Sequence, residues 1–338
     1  MIDARDMTDL SDWTIHGGRL SDAAIAFPDA PAPWLDLSTG INPDPWPGVA
    51  QVAIDWQRLP DAAAIGALEA AAARHFGVRA SNVLALPGTE FGLRWLRGLP
   101  LPAPFRHVAP GYGTHGEALP GSRAISADRL AEEAALGGTI LCANPANPDG
   151  RLIAVDSLLA IGATLARSGG WLVIDEAFVD AHRDASILPR LSGSEPIIVM
   201  RSFGKFFGLA GVRLGFAVAP PGIIAPWRAA IGSWPVSAAA NAIGVAAYAD
   251  AGWIAATRAR LRARADAMDA VLRRHGLEPQ GASPLFRLVD GDAAGLFARL
   301  ARQGILTRPF AYAPRWLRLG VPGCAADLDR LDRALGDE

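Results

Sequence analysis

Trp171-Leu172-Val173-Ile174-Asp175-Glu176-Ala177-Phe178 is the stretch on which the fold turns. Its apolar run predicts a buried strand that ends in Asp175. Pro196–Met200 is a second such run, ending at Arg201-Ser202, and Leu214–Val218 is a third. Upstream, Thr139–Ala143 stops at a Pro/Asn turn, and Val83–Leu86 leads into a helix from about Thr89. Ala154–Ser168 reads as a helix closed by Gly169-Gly170. Asp61 is placed to cap another helix, with Ile65, Leu68, Ala72 and Phe76 on one face and Gly77 at its end. Strands spaced roughly 30 residues apart with helices between them predict a mostly parallel α/β sheet. In such sheets ligands sit beyond the carboxyl ends of the strands. Gly88, Asn144, Asp175 and Ser202 fall there.

The flanks differ from this middle. Residues 1–47 are rich in Pro, Gly and Asp and read as an arm that joins a small domain. Residues 48–230 form the large domain and 231–338 a smaller α/β domain. That last part contains an Ala/Arg helix over about 236–275, strand Leu285–Val289, a helix near 293–303, short strands near Ile305 and Leu317, and a final helix. Met1–Asp12 has no basic segment followed by an apolar core, so no secretory signal is expected. The uncharged run between Arg228 and Asp250 is Ala/Gly/Ser-rich and interrupted by Pro235, which reads as a loop and buried helix rather than a membrane span.

The composition fits that plan. The chain has 338 residues, 51% of them apolar and 20% charged, and a chain near this length buries roughly 75% of its unfolded surface. A net charge of −2 excludes a general basic footprint for nucleic acid. An anionic ligand must then be held by a few placed cations. Cys142 and Cys324 carry no metal or CxxC spacing, so no metal is expected, and the pair suits a reducing cytoplasm.

Four segments carry chemistry. In Arg201-Ser202-Phe203-Gly204-Lys205-Phe206-Phe207-Gly208-Leu209-Ala210-Gly211-Val212-Arg213, a lysine sits among aromatic and glycine residues just after a buried strand. Such surroundings lower an amine's pKa and suit it to attack a carbonyl and form a Schiff base. Ser202 and Arg213 offer a hydroxyl and a planar guanidinium for a phosphate. The alternative is a solvated loop lysine. This is no P-loop, because neither Ser nor Thr follows Lys205. The carboxylate of Asp175 at a strand end needs a cation or donor, and a protonated pyridine nitrogen is one. A helix cap or a Mg²⁺ ligand is the alternative. Asn144-Pro145-Ala146-Asn147-Pro148-Asp149-Gly150 fixes an extended turn that can aim an Asn amide, or is an ordinary turn. Pro87-Gly88-Thr89-Glu90 stands at a strand-to-helix junction, where backbone N–H groups bind phosphate.

In this order the four segments resemble the fold-type-I pyridoxal phosphate enzymes, the aspartate aminotransferase superfamily, over about His16 to Gly323. The resemblance implies that Lys205 holds pyridoxal 5'-phosphate covalently. It implies that Ser202 and Arg213, with the amides of Gly88, Thr89 and Glu90, bind its phosphate. Asp175 would pair with the pyridine nitrogen, Asn147 face the ring hydroxyl, and Tyr112 of Ala109-Pro110-Gly111-Tyr112 stack on the ring. Within that superfamily the chain looks most like the threonine-phosphate decarboxylases of cobalamin biosynthesis. His16-Gly17-Gly18, Trp34–Pro43 with Gly40, Asp175–Phe178, Gly232–Ser237 and Trp316–Gly323 carry that likeness. It implies conversion of L-threonine O-3-phosphate to (R)-1-amino-2-propanol O-2-phosphate and CO₂, with His16, Gly40, Asn147, Arg308 and Arg318 on the substrate. The alternative is a histidinol-phosphate-type aminotransferase. Arg308 is otherwise a surface charge, His16 otherwise an arm residue, and His115 either lies near Tyr112 or simply packs. A cytoplasmic homodimer acting on a small phosphorylated amino acid, without nucleic acid or membrane, is further implied. The chain departs from the pattern at Arg19, Leu59, Asp149 and Glu90. Glu90 sets an acid beside a phosphate, so its side chain must turn away.

Overall fold

A computed structural model describes Leu10 and residues 13–336. Leu10 apart, the reading of Met1–Asp12 lies outside the described residues. Two compact units divide the chain. The larger takes Pro45–Asn147 and Arg151–Ala256, and the smaller takes the chain up to Asp44, Pro148–Gly150 and the chain from Thr257.

The first elements are α1 (Leu20–Ala26), β1 (Leu35–Asp36), α2 (Ala62–Phe76), β2 (Val83–Leu86), α3 (Thr89–Trp95), β3 (Phe105–Val108), α4 (Gly113–Ala118) and β4 (Arg123–Ile125). Next come α5 (Leu130–Ala134), β5 (Thr139–Ala143), α6 (Val155–Arg167), β6 (Trp171–Asp175), β7 (Ile197–Ser202), α7 (Phe203–Phe206) and β8 (Gly215–Val218). The rest is α8 (Pro221–Ile231), α9 (Ala238–Ala249), α10 (Ala251–Arg274), β9 (Phe286–Asp290), α11 (Ala293–Arg302), β10 (Ile305–Leu306), β11 (Arg308–Pro309), β12 (Trp316–Gly320) and α12 (Ala325–Gly336).

In the larger unit, seven strands pair in the order β2-β8-β7-β6-β5-β3-β4. All are parallel except β8, which runs against both of its neighbours. The expected mostly parallel sheet is therefore present. Its register lines up the ends that matter: Leu86 and Ser202 both face Gly215, while Asp175 faces Ala143 on one side and Met200 on the other. Helix α2 forms as its sequence requires. Asp61 accepts from the N–H of Ala64, Ile65, Leu68, Ala72 and Phe76 are buried, and Gly77 closes the helix at φ 75°.

The structure adds two strands and changes two readings. Strands β3 and β4 carry Arg106, His107 and Arg123, so they have no apolar run to betray them. Arg106 is nonetheless 1% exposed. Its guanidinium donates to the carbonyls of Glu133 and Gly137, which offsets the cost of burying it. The single helix expected over 236–275 is two helices, broken at Asp250. That residue leaves the helical conformation, accepts from Trp253 N at 3.0 Å and takes the Trp46 indole N–H at 3.0 Å. It thereby ends α9 and caps α10. Helix α9, assigned from sequence to the C-terminal domain, packs in the larger unit. Asn241 donates to Ala64 O, and Tyr248 meets Phe76, Phe203, Phe207 and Phe216 edge to face.

The smaller unit contains the antiparallel sheet β11-β12-β9 and the parallel pair β1-β10. Phe27, Leu37, Met268, Leu272, Phe297, Leu319 and Leu331 lie in its core. The amino-terminal arm thus belongs to this unit, with a short helix, α1, that the sequence did not announce. Among the described residues no helix is long and apolar enough to cross a membrane.

Candidate active site

In the larger unit the strand ends bring together most of the residues singled out from sequence. Gly88 holds φ 92°, which favours glycine, and a Cβ there would lie 2.9 Å from Arg213 Nη2. A Cβ on Gly215 would lie 2.6 Å from the Thr89 nitrogen. The Gly88-Thr89 turn, the Arg213 guanidinium and the start of β8 are therefore in direct contact. Ser202, 8% exposed, faces Gly215 across the β7–β8 ladder. Arg213 is itself left-handed at φ 55°. Such a conformation costs of order 1–3 kcal/mol in a residue with a side chain, and it marks functional sites when the surroundings hold it.

Asp175 closes β6 and is 6% exposed. One oxygen accepts from the Ala177 N–H at 3.1 Å. The other lies 3.0 Å from His115 Nε2. His115 is 1% exposed, and its Nδ1 has no hydrogen-bond partner. A proton on Nε2 gives the carboxylate its donor and leaves Nδ1 as the bare nitrogen. Sequence reasoning left His115 open between packing and a place near Tyr112. Both neighbours are real, since the Tyr112 and His115 rings meet at 5.8 Å and 87°. The signal that could have found it is the i, i+3 spacing of Tyr112 and His115 across the start of one helix.

Lys205 sits in α7, directly after β7, flanked by buried Phe203, Phe206 and Phe207. Lys205 is thus helical and half-buried, not the solvated loop lysine of the alternative reading. Its Nζ lies 5.7 Å from the centroid of the Phe178 ring. Phe203 stacks on Phe207 at 4.5 Å, and Phe207 stacks on Trp253 at 5.6 Å, which fixes the turn that carries the amine. Asn147 is half-buried in its turn. Asn144 anchors that turn by accepting from Ile153 N and donating to Ala185 O. Glu90 turns its carboxylate to Tyr112, Thr114 and Arg94.

The smaller unit holds the other set. Arg308 and Arg318 are cross-strand partners on β11 and β12. Like charges directly opposite one another are destabilising, and each of these guanidinia is met by carbonyl oxygens. Arg318 is 6% exposed, and burial, followed by the charge of Arg308, pulls its pKa down to about 10. Its guanidinium donates to Ser38 O, while that of Arg308 donates to Thr14 O and Ile15 O. The Ser38 hydroxyl in turn takes the Gly18 N–H at 2.7 Å. The stretch containing His16 is so tied to both arginines. His16 itself is exposed, with Nδ1 3.0 Å from Gly17 O, and Gly40 is buried. Leu59 is 58% exposed in the larger unit.

Residues 125–335 match the family of class I and II aminotransferases. A threonine-phosphate decarboxylase of Sinorhizobium sp is 42% identical over 95% of this chain and 97% of its own. One from Pseudomonas aeruginosa is 40% identical over 95% and 96%. The chain belongs to the class I and II aminotransferase family. A histidinol-phosphate aminotransferase from Sinorhizobium meliloti, solved in complex with pyridoxal 5'-phosphate, has the same fold, with a TM-score of 0.82. It is 23% identical and covers 98% of this chain and 96% of its own. Pyridoxal 5'-phosphate is the cofactor that the aminotransferase family implies. The donors fit it. The Gly88–Arg213 cradle leaves no room for a Cβ, Asp175 is buried with a donor behind it, and an amine stands at the end of β7.

Proposed function

We propose that this aminotransferase-family chain is a carboxy-lyase that converts L-threonine O-3-phosphate to (R)-1-amino-2-propanol O-2-phosphate and CO₂, in the cytoplasmic synthesis of cobalamin, as a homodimer. The observation that carries the reading is the facing pair Arg308 and Arg318, joined to two relatives of 40–42% identity that share one activity. A substrate with a carboxylate and a phosphate needs two cations, and a buried guanidinium binds either anion bidentately.

Pyridoxal 5'-phosphate, when bound, supplies an aldehyde for the substrate amine and a ring that withdraws electrons from Cα. Gly88, Thr89, Ser202 and Arg213 would hold its phosphate, and Asn147 its ring hydroxyl. Asp175, oriented by His115, would pair with the ring nitrogen and keep a proton there. Tyr112 presents its ring face and excludes water. Arg308 and Arg318 orient the substrate carboxylate and phosphate, helped by His16 and Gly40. Orientation by the two arginines would decide the reaction, because it selects which Cα bond the bound group weakens. With the carboxylate presented, CO₂ would leave and Lys205 Nζ would deliver a proton to Cα in its place. With the Cα–H bond presented, Lys205 would instead take that proton and transamination would follow.

The test is a product assay. CO₂ release from L-threonine O-3-phosphate without any oxo acid is expected, and Lys205→Ala is expected to abolish it. Turnover that requires 2-oxoglutarate would replace this reading with the histidinol-phosphate type of aminotransferase. Full turnover in Lys205→Ala would remove the amine from the mechanism.

A further inference from the structure

An acid beside a phosphate-binding turn raises the local cost of an anion, so Glu90 calls for a compensating role. Its carboxylate is engaged from several directions. Oε1 accepts from Arg94 Nε at 2.5 Å, and Oε2 accepts from the Tyr112 hydroxyl at 2.9 Å. The Thr114 hydroxyl lies 3.1 and 3.0 Å from the two oxygens. The group is thus neutralised on one side by Arg94 and tied to α4 on the other. Tyr112 precedes α4, is 40% exposed and meets His115 at its second contact. One aromatic ring therefore spans from the acid of the turn to the histidine behind Asp175. Burial, together with the charge of Glu90, raises the pKa of the Tyr112 hydroxyl, so it stays a donor.

We propose that Glu90 is a positioning residue: by gripping the Tyr112 hydroxyl it fixes the ring that lies over the cofactor and so sets how tightly the cofactor is held. The inference rests on the reading of Lys205, Asp175 and Arg213 as a pyridoxal phosphate site. Two effects of Glu90 oppose each other. Its charge repels the phosphate, and its grip pre-organises the ring. The ion pair with Arg94 mutes the first, whereas a hydrogen bond to a carboxylate acceptor is among the stronger neutral-donor bonds. The grip prevails.

The experiment uses the full-length protein stripped of cofactor and reloaded with pyridoxal 5'-phosphate. Binding is followed by tryptophan fluorescence and by the absorption band of the Lys205 adduct. Glu90→Ala should weaken cofactor binding about tenfold, and Tyr112→Phe should do the same. The double variant should be no weaker than either single one, because both remove one interaction. Glu90→Gln, which keeps an acceptor, should recover most of the affinity. Unchanged or tighter binding in Glu90→Ala overturns the proposal, as do effects of the two substitutions that simply add. If Glu90→Ala does not fold, Tyr112→Phe decides alone, and wild-type affinity in that variant overturns it. Wild-type protein that takes up no cofactor would defeat the site reading itself. Wild-type binding with indifference at Glu90 defeats only this inference.

Discussion

His115 shows how much one side chain can govern at the residue scale. Asp175 is a buried carboxylate, and the imidazole at 3.0 Å is the hydrogen-bond partner that orients it. Replacing His115 by Phe keeps a planar ring but removes the donor. A hydrogen bond to a charged group is worth about 1.5–3 kcal/mol, so kcat/KM is expected to fall roughly 10- to 100-fold. Normal rates in this variant would show that Asp175 needs no such partner. Much at this scale was legible in the sequence. Lys205, Asp175, Arg213 and Gly88 each stand next to a strand end, and strand ends can be read from apolar runs. His115 and Thr114 could not be placed in the same way. Their meaning comes from contacts with residues 60 and 24 positions away.

At the scale of elements, sequence spoke clearly where one physical signal dominated. Helix α2 has a cap, an apolar face and a terminating glycine, and all three lie within the segment itself. The exposed Asp61 accepts from Ala64 N at 2.8 Å. Asp61→Ala should cost about 1 kcal/mol and lower Tm by a few degrees, roughly 2–4 °C per kcal/mol for a unit of this size. A melting curve identical to the wild type would mean that packing alone holds the helix start. Strands β3 and β4 were hidden for the opposite reason. Arg106 looks like a surface residue until the carbonyls that receive it are in place. The break at Asp250 was hidden too, because the indole of Trp46, distant in the chain, helps to hold it.

At the scale of the molecule, a buried charge network links several elements of the larger unit. Arg201, 3% exposed, pairs with Asp180 and Glu176, and Asp180 also meets His75 at 2.9 Å. Burial, opposed in part by Arg201, lifts the Glu176 carboxyl to about 7. Between its ordinary value near 4.5 and about 7, the folded chain holds a proton that the unfolded chain has released. Stability from this group is therefore full below that window and declines as pH rises through it. Glu176→Gln keeps an acceptor oxygen for the Ile187 N–H and turns an amide NH2 to the Ser186 hydroxyl, which can accept, but cannot ionise. Relative to wild type, its Tm should be higher at pH 8 than at pH 5. Parallel curves for the two proteins would place the titration elsewhere.

One two-residue ladder has a consequence for how this chain comes into being. Leu35 and Asp36 find their partners in Ile305 and Leu306. A nascent polypeptide emerging from the ribosome must keep Leu35 and Asp36 without these partners until Ile305 and Leu306 have been translated. The larger unit has no such dependence, since its last strand ends at Val218 and its residues at Ala256. Synthesis itself thus imposes an order of assembly: the part bearing Lys205 can be finished before the part bearing the facing arginines.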